Sequence, residues 1–165
     1  MGLFDVERIR RVVMLDEKVY KEIRDDEEAT VQALVVLLLA SIIGGIWSII
    51  TAPWIGLIFI VIGVPIILFI GTAILHVIAK LLGGKAGFMG YLRVLCYTQA
   101  PNALGIIPLI GSIIGSLWVL VCEVIATKSA HELSLGRAIT VVLLPVIVLV
   151  LIIFAVVLWQ LGIAS

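Results

Sequence analysis

Residues 91–131 read YLRVLCYTQAPNALGIIPLIGSIIGSLWVLVCEVIATKSAH, and this stretch decides the fold. Two apolar segments meet there at Pro101 and Pro108, with no charged residue between Arg93 and Glu123. Prolines end or bend helices, and the run after Pro108 is long enough to cross hydrocarbon. Arg93 and Glu123 stand inside the apolar segments. A lone charge there is costly, whereas a paired one facing a bundle interior is tolerated.

The whole chain shares this character. Of its 165 residues 63% are hydrophobic and 13% charged, and the mean hydropathy is +1.32. Soluble domains carry about a quarter charged residues, so the composition predicts an all-α integral membrane protein. Nine of the eleven acids lie at or before Glu28, together with six of the eleven bases. A charged leader, residues 1–29, therefore precedes one membrane domain, residues 30–165. The leader lacks the apolar core and cleavage site of a signal peptide. Cys96 and Cys122 both fall in apolar segments and read as small buried hydrophobes.

In the leader, Leu3, Val6, Ile9 and Val13 recur at helical spacing, with Arg8, Arg10 and Arg11 elsewhere on the wheel. This predicts a short amphipathic cytoplasmic helix, lying in the interface of an anionic inner leaflet or packed on the protein's own cytoplasmic face. A second helix follows from an Asp16 N-cap to Arg24. Five transmembrane segments are expected, at about 30–51, 55–82, 88–104, 108–128 and 139–161. Ala40, Gly44 and Ser48 in the first, and Gly111 and Gly115 in the fourth, repeat every four residues and predict close helix packing. Pro65 and Pro145 predict kinks within segments, and Pro101 and Pro108 the turn between the third and fourth. Trp54 and Trp159 sit at segment ends, where indoles anchor.

The loops set the orientation. Lys80 and Lys85 follow the second segment, and Lys128 and Arg137 flank the loop after the fourth; the other connections carry no charge. The positive-inside rule puts the N-terminus and both basic loops in the cytoplasm. Parity then makes the short third segment a crossing and leaves the C-terminus outside.

By helical rise, His76, Arg93 and Glu123 each lie roughly 7–9 Å below the inner surface. They predict an intramembrane polar cluster, with Arg93 and Glu123 as an ion pair and Tyr97 one turn deeper. The cluster reads either as a site for an ion, proton or lipid headgroup or as a clamp on helix register. His131 and Glu132 read as members of a solvated loop. Gly83-Gly84-Lys85-Ala86-Gly87 looks like a phosphate loop but lacks its first glycine, at Ala79, and its Ser or Thr, at Ala86. No nucleophile–base pair, metal-ligand spacing or nucleic-acid motif is present. No enzyme activity, cofactor, metal or nucleic-acid partner is expected.

These residues resemble the Yip1 family of small five-helix membrane proteins. The resemblance rests on Tyr91-Leu92, Tyr97 and Pro101, continues through Ile107-Pro108, Gly111 and Trp118, and ends at Lys128 before His131. It implies a Yip1-type membrane domain. In eukaryotic relatives it implies vesicle trafficking, Rab-type GTPase binding and oligomers with related subunits. The leader lacks the long cytoplasmic region and Asp-Leu-Tyr-Gly-Pro motif of those relatives, so Rab binding is not carried over. Its shortness resembles bacterial or archaeal members, which implies a cell-membrane location. The expected function is a non-enzymatic scaffold or organiser of membranes or membrane-protein complexes, as a homo- or hetero-oligomer. The rival is a small transporter, channel or lipid-handling protein using His76, Arg93 and Glu123.

Overall fold

A computed structural model describes residues 5–160. Leu3 of the expected leader helix and Leu161 at the end of the expected last segment lie outside the described residues. Two short helices come first, α1 (Val6–Val13) and α2 (Glu17–Asp25). Asp5 caps α1 by accepting from the Arg8 N–H at 3.0 Å, and Asp16 caps α2 through the Lys18 N–H at 3.0 Å. Each cap satisfies a donor that the first turn leaves free.

The first expected segment is divided into α3 (Ala29–Gly44) and α4 (Ile46–Thr51), which meet at Gly45. The second is one helical run, from α5 (Pro53–Ile58) through a π turn (Phe59–Gly63) into α6 (Val64–Leu81). Pro65 stands in the first turn of α6, and the irregularity it demands is taken up by that π turn just before it. The third segment is α7 (Phe88–Thr98) followed by a 3-10 stretch (Ala100–Ile106) opened by Pro101. Then come α8 (Ile110–His131) and α9 (Leu135–Gln160), with Pro145 inside α9.

Three runs are long and apolar enough to cross a membrane: Pro53–Leu81, Ile110–His131 and Leu135–Gln160. Ala29–Gly44 is equally apolar but shorter. The described chain is thus an all-helical membrane protein. Trp54 and Trp159 are exposed at the ends of their helices, as anchors should be.

The leader is part of the core. Val12, Val19, Tyr20 and Ile23 are buried in one cluster with Val94, Leu95 and Tyr97 of α7 and Ala126 and Ala130 of α8. Each fully buried side chain of this size contributes roughly 1.5–3 kcal/mol. Tyr20 donates its hydroxyl to the Val12 carbonyl at 2.8 Å, and Trp118 Nε1 donates to that of Val13 at 3.0 Å. Of the two placements expected for α1, packing on the protein's own bundle is the one observed.

Pro108 sits in the turn before α8, where Leu109 adopts φ 65° and ψ −69°. The Ile110 N–H donates to the Pro108 carbonyl at 2.8 Å. This is a three-residue turn of the strained hand, rarely adopted by a residue with a Cβ. Leu109 is exposed and gains little in return. Leu109→Gly should therefore raise stability by about 1 kcal/mol, read as a higher thermal midpoint in detergent; an unchanged or lower midpoint would mean the leucine is held there by a contact.

Candidate functional site

The site is built around the 3-10 stretch, which α3 and α8 clasp between small residues. A Cβ on Gly44 would strike the Asn102 carbonyl, and one on Gly111 that of Leu104. A Cβ on Gly105 would lie 2.7 Å from the Gly44 carbonyl, and one on Gly115 2.7 Å from that of Pro101. Ala40 is buried on the same side of α3 as Gly44, while Ser48 packs beside Gly56 of α5. The close approaches at Gly44, Gly111 and Gly115 are thus made within the bundle, while Ser48 stays exposed and, with Ala40 and Gly44, borders an open cavity of about 250 Å³. Gly105, which sequence reasoning passed over, completes the clasp.

Four separate polar groups run from this clasp toward the opposite end of α8. Asn102 Nδ2 donates to Gln99 Oε1 at 2.9 Å, and Gln99 Nε2 donates to Glu123 Oε1 at 3.0 Å. Arg93 donates from Nη1 to Thr30 Oγ1 at 3.2 Å and from Nη2 to the Arg24 carbonyl at 2.7 Å. His76 lies 5.3 Å from His131 and 6.3 Å from Tyr91, ring centre to ring centre. The Tyr91 hydroxyl shares a 2.7 Å hydrogen bond with Thr127. Tyr97 donates to Gln32 at 3.3 Å, on the leader side.

The expected Arg93–Glu123 ion pair is not formed, and His76, Arg93, Glu123 and Tyr97 do not make one cluster. The cause is helical face as well as depth. Gly90, Arg93 and Tyr97 form one stripe of α7, turned to Arg24, Thr30 and Gln32. Tyr91 and Gln99 lie on another face and meet α8. His131 is likewise not in a solvated loop. It ends α8 with no exposed surface, and both ring nitrogens are without partners.

Glu123 opens into a cavity of about 430 Å³ between α6 and α9, where Leu68, Leu75, Val142 and Pro145 make an apolar wall. The 2.9 Å bond from Asn102 leaves Gln99 oriented to donate, so the carboxylate sits at the end of an aligned hydrogen-bond chain. Such an arrangement holds a negative or hydrogen-bonding group at a fixed point beside an apolar volume.

On the leader, Arg8 pairs with Asp26 at 2.9 Å, and Arg11 pairs with both Asp16 and Glu22 at 2.8 Å. The Arg11 guanidinium holds the Asp16 and Glu22 carboxyls below their ordinary range. Lys85, then Arg24, does the same for Glu132. A carboxyl depressed in the folded state contributes stability above its unfolded pKa and loses it as pH falls through the folded value. Acidification below about 4 should therefore loosen the leader. The readout is Trp118 fluorescence in a chain whose other tryptophans are phenylalanine. A leader that stays packed at about pH 3 would contradict the assignment to these carboxyls.

Among known proteins, the family model described as the Yip1 domain matches residues 13–157. No curated protein matches the chain, and no solved structure does.

Proposed function

Since the chain belongs to the Yip1 domain family, we propose that it is a non-enzymatic scaffold that organises the membrane around it. In this reading it crosses five times, counting α3–α4 and α7 with its 3-10 extension. The N-terminus and both basic loops are cytoplasmic, the C-terminus is outside, and the host membrane is that of a bacterial or archaeal cell. Homo- or hetero-oligomers with other membrane proteins form through the exposed apolar faces of α6 and α9.

One observation carries the reading: the apolar belt is of unequal height. On α9, exposed apolar residues run from Leu135 to Trp159, about 36 Å at 1.5 Å per residue. On α8 they run only from Ile110 to Val121, about 17 Å by the same rise. Beyond that point the docked leader covers one side of α8, leaving Val124 and Ile125 half-buried toward α9, with Glu7, Arg10, Lys18 and Lys21 exposed on the leader. A bilayer about 30 Å thick must thin on the leader side to match, at a cost of fractions of a kcal/mol per Å. A wedge of this kind sorts lipids and neighbours by thickness without any chemistry.

The test is reconstitution into monounsaturated phosphatidylcholine of short, medium and long chain length. The thermal midpoint should be highest in the thinner bilayers, and self-association should grow as thickness increases. Indifference to chain length would remove the wedge.

The Glu123 cavity favours a second reading, a carrier or lipid-handling protein. Release from nanodiscs into a mass spectrometer separates the two. A stoichiometric protein partner or homo-oligomer supports the scaffold. A monomer retaining one small molecule, lost on Glu123→Gln, supports the carrier.

A further inference from the structure

The phosphate-loop look-alike at Gly83–Gly87 has a place in the fold that its failed motif did not suggest. It ends at a polar cleft of about 630 Å³ on the edge of the bundle, between the leader and the start of α7. Phe88, Met89 and Gly90 line this cleft, and their N–H groups are the first of α7, without acceptors inside the helix. Gly87 caps α7 with extended backbone and no side chain, so no carboxylate or hydroxyl serves those donors. An open helix N-terminus of eleven residues attracts an anion.

Arg93 is the second, independent observation. Its side chain lines the cleft and only 8% of the residue is exposed. Its two terminal nitrogens go to a hydroxyl and a carbonyl, both neutral, and its Nε is buried with no partner. No carboxylate pairs with it directly among the described residues, and Asp25, already bonded to Arg24, acts on it only from a distance. A buried guanidinium with no directly bonded counter-charge is costly. The other cations of the cleft are already balanced: Arg24 by Asp25 at 2.7 Å, and Lys85 by Glu132 at 2.9 Å.

We propose that this cleft binds a single phosphate group, held by Arg93 and the uncapped N-terminus of α7. The loop before it is preset. Lys85 N–H donates to the His131 carbonyl at 3.1 Å, and Gly84 lies where a Cβ would touch His131 Nδ1. The exposed acids at the mouth, Asp25, Glu27 and Glu132, disfavour polyphosphates and leave one phosphate as the charge the floor can balance. Lys80 and Arg137 on the same edge put the cleft where, in the proposed topology, headgroup phosphates lie. The source is either such a headgroup or free phosphate, and the inference does not depend on the scaffold reading.

The test uses the full chain, stripped of phospholipid, in neutral detergent. Its thermal midpoint is followed with sodium phosphate or short-chain phosphatidylglycerol, against sodium chloride and diacylglycerol. Gly87→Asp is the diagnostic variant. A Cβ there meets nothing within 4 Å, so the fold tolerates it. The new carboxylate caps α7 and occupies the anion's position. The expected result is a saturable rise with a phosphate probe in the parent chain. Gly87→Asp should be more stable without ligand and bind the probe at least tenfold more weakly. Arg93→Lys, which keeps the charge and loses Nε, should also weaken binding. A response to both probes identifies free phosphate as sufficient, and a response to the phospholipid alone identifies a headgroup. No rise above the controls, or a full response retained in Gly87→Asp, overturns the proposal.

Discussion

Gly111→Leu is expected to destroy the folded bundle rather than dissociate an assembly. Any side chain at this position begins on the carbonyl of Leu104, which is backbone and cannot swing aside. The 3-10 stretch would have to leave α8, and Gly105 would then lose its seat against Gly44 on the opposite side. Overpacking of an ordinary core costs about 1–3 kcal/mol. Here the obstruction is main chain on both sides, so a loss above about 3 kcal/mol is expected. In practice this means little monodisperse protein in detergent. Gly44→Val should behave alike, because its Cβ would meet the Asn102 carbonyl. Gly71→Ala is the control: nothing lies within 4 Å of the added methyl, and the helix should be stabilised by up to about 1 kcal/mol. A Gly111→Leu chain that folds with the parent midpoint but changes native mass would place this glycine face on the outside and refute the clasp.

The case shows what a small-residue pattern does and does not say. Spacing of four identifies a face where backbones approach, and the approach is real at Gly44, Gly111 and Gly115. It does not name the element that approaches, which here is the Ala100–Ile106 stretch from the chain's own third segment. The apolar runs, the Asp16 cap and the leader helices were likewise legible, because each depends on residues a few positions apart. The docking of Tyr20 against α7 and α8 was not, since it joins residues about 75 to 110 positions apart and leaves no periodic trace. His131 misled for a related reason. A histidine beside Glu132 looks solvated, yet α8 runs to its position and the Gly84 loop folds over it.

Reversing the charges of Arg93 and Glu123 together should fail to rescue either single reversal. A rescue requires that the two side chains face each other, and the structure sets them on different contacts. Tyr91 opposite Thr127 and Gln99 opposite Glu123 fix how α7 runs past α8. Glu123 lies level with Gln99, six residues from Arg93 along α7, or about 9 Å. Arg93 also points to the leader, where the Arg24 carbonyl and Thr30 accept from it. In Arg93→Glu a carboxylate would confront that carbonyl, an acceptor against an acceptor, and the cost should be about 3–5 kcal/mol. Glu123→Arg would bring a guanidinium against the Gln99 amide and into the apolar wall of Leu68 and Val142, a separate loss. With no shared partner the two penalties should add to within about 0.5 kcal/mol. Chemical unfolding of the two singles and the double in one detergent measures the coupling directly. A coupling energy of 2 kcal/mol or more in favour of the double, on the order expected for a true buried pair, would restore the ion pair and require α7 to be turned about its axis.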